Sequence, residues 1–149
     1  MKLSEVDLSA LPESNIFRWS PELWEDWIYE KNKGIDITNL PKSSGKIKAW
    51  WKCSRCNNEA YMTLRAKYNN TQCDYCLGRR VNDTNSLAKV LPDVSDLLNK
   101  QKHNPNEIFY RNSKDVFSFI CSLCNLEFEN KIPQVRRAVE KTKTTGCPY

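Results

Sequence analysis

Short apolar stretches alternate with polar intervals along this chain, and none of the apolar stretches is long. After Ser20 the order is Pro21, Glu22, Leu23, Trp24, Glu25, Asp26, Trp27, Ile28. Leu23, Trp24, Trp27 and Ile28 recur at the spacing of one helical face. Ser20 suits the cap, Pro21 the first helical position and Glu22 the first turn. A short helix is expected there, with Trp24 and Trp27 in a core that tryptophan's large area helps to fill. Two runs rich in aromatic and β-branched residues, "IKAWWKC" and "VFSFIC", read as strands. "NEAYMTLRAKY" is expected to be the return strand of the first. "SLAKVLPDVSDLL" reads as two helical turns broken at Pro92, and "PQVRRAVEK" as an amphipathic helix with Val135 and Val139 on one side.

These elements come twice in the same order. A shift of 68 positions lays Cys53 and Cys56 on Cys121 and Cys124, and a shift of 74 lays Cys73 on Cys147. The difference is a longer excursion, "KIPQVRRAVEKTKTT", inside the second copy. Trp51 and Phe119 each stand two residues before a leading cysteine. The expectation is a small α+β fold of two tandem cysteine-bearing units, each preceded by a short helix. The boundaries are an acidic segment over 1–18, a first repeat over 19–80 and a second over 81–149.

The cysteines give the repeat its chemistry. Six of the seven stand in pairs two residues apart: Cys53 with Cys56, Cys73 with Cys76, and Cys121 with Cys124. In a reducing compartment this spacing points to metal rather than disulfides. Tetrahedral zinc takes four thiolates at about 2.3 Å. Cys53, Cys56, Cys73 and Cys76 complete such a cage, with no position left for substrate or water, so a structural Zn2+ is expected. Cys121, Cys124 and Cys147 form a second, incomplete set. Three readings compete for its fourth corner: a further cysteine directly after Tyr149, the lone histidine His103, or an open position. The repeat favours the first, since "TQCDYC" is echoed by "TTGCPY" up to its last residue.

Charge divides along the chain. The net charge is +5. Residues 42–80 hold 9 Lys/Arg against 2 Asp/Glu, and residues 110–149 hold 7 against 4, whereas residues 1–41 hold 4 against 8. Basic surfaces on the cysteine units suit a polyanion. The start, "MKLSEVDLSALPES", is too acidic and broken for a signal peptide, and no stretch reaches the roughly 20 apolar residues of a membrane span. A cytoplasmic location is expected, either in a cell or, for a viral protein, in host cytoplasm or virion, with no membrane partner.

In combination, Trp27, Asn32, "SGK" at 44–46, Trp51, Cys53 with Cys56, Arg65 and "CDYC" at 73–76 resemble a family of tandem zinc-ribbon or treble-clef repeats. Asn104, "NSK" at 112–114, Phe119, Cys121, Cys124, Phe128 and "CPY" at 147–149 resemble a second copy, and "NSLAKVLPD" resembles the link between copies. Such repeats occur in bacteria, phages and large DNA viruses. This chain departs from the family phrase with "NNEAY" and "NLEF" after the knuckles, with Asp74 in place of proline, and at the fourth corner of the second set.

Two functions follow as expectations. The first is a nucleic-acid-binding module, with DNA as the expected partner. Lys46, Lys48, Lys52, Arg55, Arg65, Lys67, Arg79 and Arg80 would neutralise phosphates in the first unit, and Arg136 and Arg137, with Lys141 and Lys143, in the second. For any single one of these, plain solvation is the default. Tyr61, Tyr68 and Tyr75 could stack on bases but more simply pack around the metal. The second is a structural or protein-interaction module of a virion or larger complex, which the acidic first 41 residues fit better. An enzyme is the weakest class: one histidine, no phosphate loop, and Glu127 and Glu129 reading as exposed strand positions. No small-molecule substrate is expected.

Overall fold

The computed structural model describes residues 5–149. Among these the chain forms two compact units, divided between Cys73 and Asp74.

The first unit begins with a turn not foreseen in the sequence. Asn15 accepts the Phe17 N–H at 2.9 Å and caps α1 (Ile16–Trp19), which buries Ile16 and Phe17. Ser20 makes no side-chain cap, and Pro21 heads a 3-10 turn (Pro21–Asp26) rather than an α-helix. The chain is pulled out of helical geometry at Trp27, which is extended and pairs by a β-bridge with Trp51. Trp27 is core as expected, and Trp24 packs against it half-buried. Strands β1 (Lys48–Lys52) and β2 (Glu59–Thr63) form an antiparallel hairpin in which Trp50 faces Tyr61 and Lys52 faces Glu59. Strand alternation sends Ala49 and Trp51 inward and Lys48, Trp50 and Lys52 outward. Phe17 meets Trp24 and Trp27 edge-on, at centroid separations of 4.8 and 5.5 Å, and Trp27 meets Trp51 edge-on at 4.9 Å.

The expected return strand stops at Thr63. Its hydroxyl accepts the Ala66 N–H at 3.2 Å and starts α2 (Leu64–Tyr68), so the tail of "NEAYMTLRAKY" is helix. Leu11, Ile16 and Phe17 lie in the same core as Trp51. The described part of the N-terminal acidic segment is thus packed into the first unit. Residues 1–4 of that segment lie outside the described residues.

The second unit has helices α3 (Leu87–Val90) and α4 (Pro92–Leu97), broken at Pro92 as expected. Leu98 bridges to Phe119 on β3 (Phe117–Ile120), which pairs antiparallel with β4 (Glu127–Asn130). Helix α5 (Ile132–Arg137) follows, with Val135 fully buried and Val139 half-buried, as expected. It continues through a five-residue π turn, Ala138–Thr142. The helical stretch between the hairpin and Cys147 is therefore 11 residues, against 5 in α2 before Cys73. That accounts for the six extra residues between the cysteines. No helix among the described residues is long and apolar enough to cross a membrane.

Candidate metal centres

Each leading cysteine pair forms the tip of a hairpin. The Cys53 N–H donates to the Asn58 carbonyl at 2.8 Å, and the Asn57 N–H to the Cys53 carbonyl at 2.8 Å. In the second hairpin the Cys121 N–H donates to the Leu126 carbonyl at 3.0 Å, and the Asn125 N–H to the Cys121 carbonyl at 2.9 Å. Both turns close through an asparagine at positive φ, +60° at Asn57 and +58° at Asn125. Asparagine tolerates this left-handed geometry better than other side chains. The turns aim the flanking sulfurs to one side. The later cysteines arrive from helix ends that stop through further left-handed residues, Asn70 (+55°) and Lys143 (+50°).

The sulfurs of Cys53, Cys56, Cys73 and Cys76 all lie within 4.8 Å of one another, as do those of Cys121, Cys124 and Cys147. Cys56 and Cys73 are 3.5 Å apart, and Cys124 and Cys147 3.7 Å. Four sulfurs at 2.3 Å from one ion would be about 3.8 Å apart along a tetrahedron's edges. Both clusters are therefore compatible with zinc.

At Cys53 and Cys121 local dipoles favour the thiolate form. Burial pushes the Cys53 thiol up, but the N–H groups of Cys56 and Arg55 and the thiols of Cys73 and Cys56 outweigh it and hold it down at about 7. The Thr145 hydroxyl, 3.1 Å from Cys121 Sγ, and the Cys124 and Leu123 amides hold the Cys121 thiol down at about 6. At Cys147 the Tyr149 N–H lowers the thiol, but burial and the neighbouring Cys124 and Cys121 outweigh it and raise it. Thr145 was not foreseen as part of the site; nothing in its spacing marks it.

No fourth His, Cys, Asp or Glu donor joins the second cluster among the described residues. His103 stands elsewhere: its Nε2 accepts the Ser118 N–H at 3.0 Å and its ring meets Phe117 edge-on. Glu127 and Glu129 are exposed strand residues, as read from the sequence.

Among the cations named from the sequence, Lys46, Lys48, Lys52, Arg55, Arg65, Arg79, Arg80, Arg136 and Arg137 are exposed. Arg55 donates to the Asn70 carbonyl at 3.2 Å and Arg65 to that of Ser43 at 2.9 Å. Lys67 is different. It is buried, ion-paired to Asp26 at 2.7 Å, and donates to the Lys52 carbonyl. Its charge is neutralised inside the unit, and no phosphate contact falls to it. Its place, three residues after buried Leu64 on α2, carried the signal of an inward position. In the second unit Arg136 pairs with Glu140 at 2.8 Å. It lines a groove of about 320 Å³ together with Tyr110, Arg111, Arg137 and Lys141. Tyr68 and Tyr75 are half-buried, whereas Tyr61 is exposed.

Residues 23–79 match a family model described as a probable treble clef zinc finger domain. The match contains the whole first cysteine set. No curated protein matches the chain.

Proposed function

We propose that this chain is a zinc-stabilised nucleic-acid-binding module with two tandem metal units and no catalytic role of its own. The supporting observation is the exposed basic surface of the four-cysteine unit. There Lys46, Lys48, Lys52, Arg55 and Arg65 are exposed, Arg55 and Arg65 each steadied by one backbone carbonyl, while Lys67 is withdrawn into the core. Zinc in the four-thiolate cage fixes the hairpin and the end of α2 in one geometry and leaves no open coordination position. The second cluster, with the same hairpin closure, reads as a second unit of the same kind. The cations position DNA by its phosphates and specify no sequence.

The test is a salt titration of DNA binding by the zinc-loaded chain. Affinity should fall steeply and linearly in log–log form as salt rises. No measurable binding to duplex or single strand at low salt contradicts the reading.

A protein-interaction role has one observation in its favour. The second hairpin tip exposes Leu123 (80%) and Leu126 (49%), with Ile120 beside them on β3. Exposed apolar side chains grouped in this way mark contact surfaces between proteins.

A further inference from the structure

The outer face of the β1–β2 hairpin carries an unusual set of side chains. Trp50 and Tyr61 are direct cross-strand partners, with ring centroids 5.2 Å apart and planes inclined by 33°. Tyr61 is 56% exposed, although tyrosine at a structural position in so small a unit would be expected to be buried. Cations surround the pair. Lys31 Nζ sits 4.4 Å from the Trp50 ring centroid and Lys48 Nζ 5.9 Å from that of Tyr61, and Lys52 is next but one along the same strand face. The one carboxylate opposite, Glu59, is held by Lys31. The inward neighbours Ala49 and Trp51 already fill the core, so neither Trp50 nor Tyr61 is needed to close it. The corresponding face of the β3–β4 hairpin has no aromatic residue: it presents Ser118 opposite Glu129 and Ile120 opposite Glu127.

We infer that the Trp50–Tyr61 face is a stacking platform for single-stranded nucleic acid. Unpaired bases lie on the exposed Tyr61 ring and the half-buried Trp50 ring beside it, while Lys48 and Lys52 follow the phosphates. The chemistry of the face selects this occupant. Flat π surfaces flanked by cations complement a chain of unpaired bases and anionic linkers, and stacking of this kind tolerates any base. A duplex presents its phosphates to the same lysines but hides its base faces, so it gains nothing from the rings. This inference rests on the nucleic-acid reading above and adds the preferred strandedness and the residues that set it.

The experiment compares the zinc-loaded wild type with Tyr61→Ala, Tyr61→Phe and Trp50→Ala. The probes are a fluorescein-labelled oligothymidylate and a labelled duplex of mixed sequence, at one low salt concentration. Zinc content and circular dichroism are checked on each variant. Tyr61 is exposed, so Tyr61→Ala should keep the fold. The expected result is roughly tenfold or greater loss of oligothymidylate affinity in Tyr61→Ala, near-full retention in Tyr61→Phe, and duplex binding changed less than twofold in both. Unchanged oligothymidylate binding in a correctly folded Tyr61→Ala overturns the platform and leaves the nucleic-acid reading standing. Equal losses for duplex and single strand also overturn it, because the residue would then serve the lysines rather than the bases. Absence of binding to either probe by the wild type overturns both.

Discussion

The two hairpin tips have one backbone and opposite surfaces. Both close with the same pair of hydrogen bonds and an asparagine at positive φ. Around the first tip stand Ser54, Arg55 and Asn58; around the second, Ser122, Leu123 and Leu126. The sheet faces behind them differ in the same sense. One is basic and aromatic through Lys48, Trp50, Lys52 and Tyr61, and the other is acidic through Glu127 and Glu129. What the metal hairpin requires of the sequence is therefore small: the cysteines, one left-handed asparagine and an inward aromatic, Trp51 or Phe119. Every other position on the hairpin is free to carry a separate surface.

The interiors differ too. On α2 the inward positions are Leu64 and Lys67; on α5 they are Ile132 and Val135. Sixth in the proline-headed turn stands Asp26 in the first unit and Leu97 in the second. The first unit thus holds an ion pair at helix positions where the second has apolar residues.

The largest expected effect separates the cages themselves. Cys73→Ser removes a buried ligand of the four-sulfur set, and loss of that metal should cost on the order of 10 kcal/mol and unfold the first unit. All five tryptophans lie between Trp19 and Trp51, so tryptophan fluorescence reports this unit alone and should collapse. Cys147→Ser should lower zinc content and leave that fluorescence in place.

Next come the inward aromatics. Trp51→Ala and Phe119→Ala should each destabilise their own unit by about 3–5 kcal/mol in urea unfolding. Trp50→Ala, on the outer face of the same strand as Trp51, should cost far less.

The interior difference is tested by Lys67→Val, which leaves Asp26 without its partner and should cost about 3 kcal/mol. Adding Asp26→Leu reproduces the second unit's residues and should recover most of the loss, a coupling that a double-mutant cycle measures.

The smallest effect concerns Glu127. Lys102 first, and then the Ser118 hydroxyl, hold its carboxyl below the usual range. A lowered folded-state value contributes stability above the ordinary carboxylate range, and the contribution is lost as pH falls through the lowered value. Glu127→Gln should therefore show a slightly lower Tm than wild type at neutral pH, with the gap closing in acid.

The cysteine spacing alone carried the grouping of the seven sulfurs, because a two-residue interval restricts where two sulfurs can point. The strands were legible from their aromatic and β-branched runs, and the break at Pro92 from proline chemistry. What escaped was decided by tertiary contact. Thr63 reads as a strand residue until its hydroxyl caps α2. Ser20 loses its expected cap because Trp27 is drawn into a bridge with Trp51. Lys67 reads as one more phosphate contact until Asp26, 41 residues earlier, takes its charge. His103 looked free to ligate until the Ser118 amide occupied its Nε2.

The difference between the four-sulfur and the three-sulfur set is tested most directly by native mass spectrometry during titration with a zinc chelator, with tryptophan fluorescence followed in parallel. The predicted result is two zinc ions per chain at the start, the first lost at low chelator without change in fluorescence, and the second lost only at high chelator together with the tryptophan signal. Collapse of the fluorescence on loss of the first zinc, or full zinc content in Cys73→Ser, would contradict it.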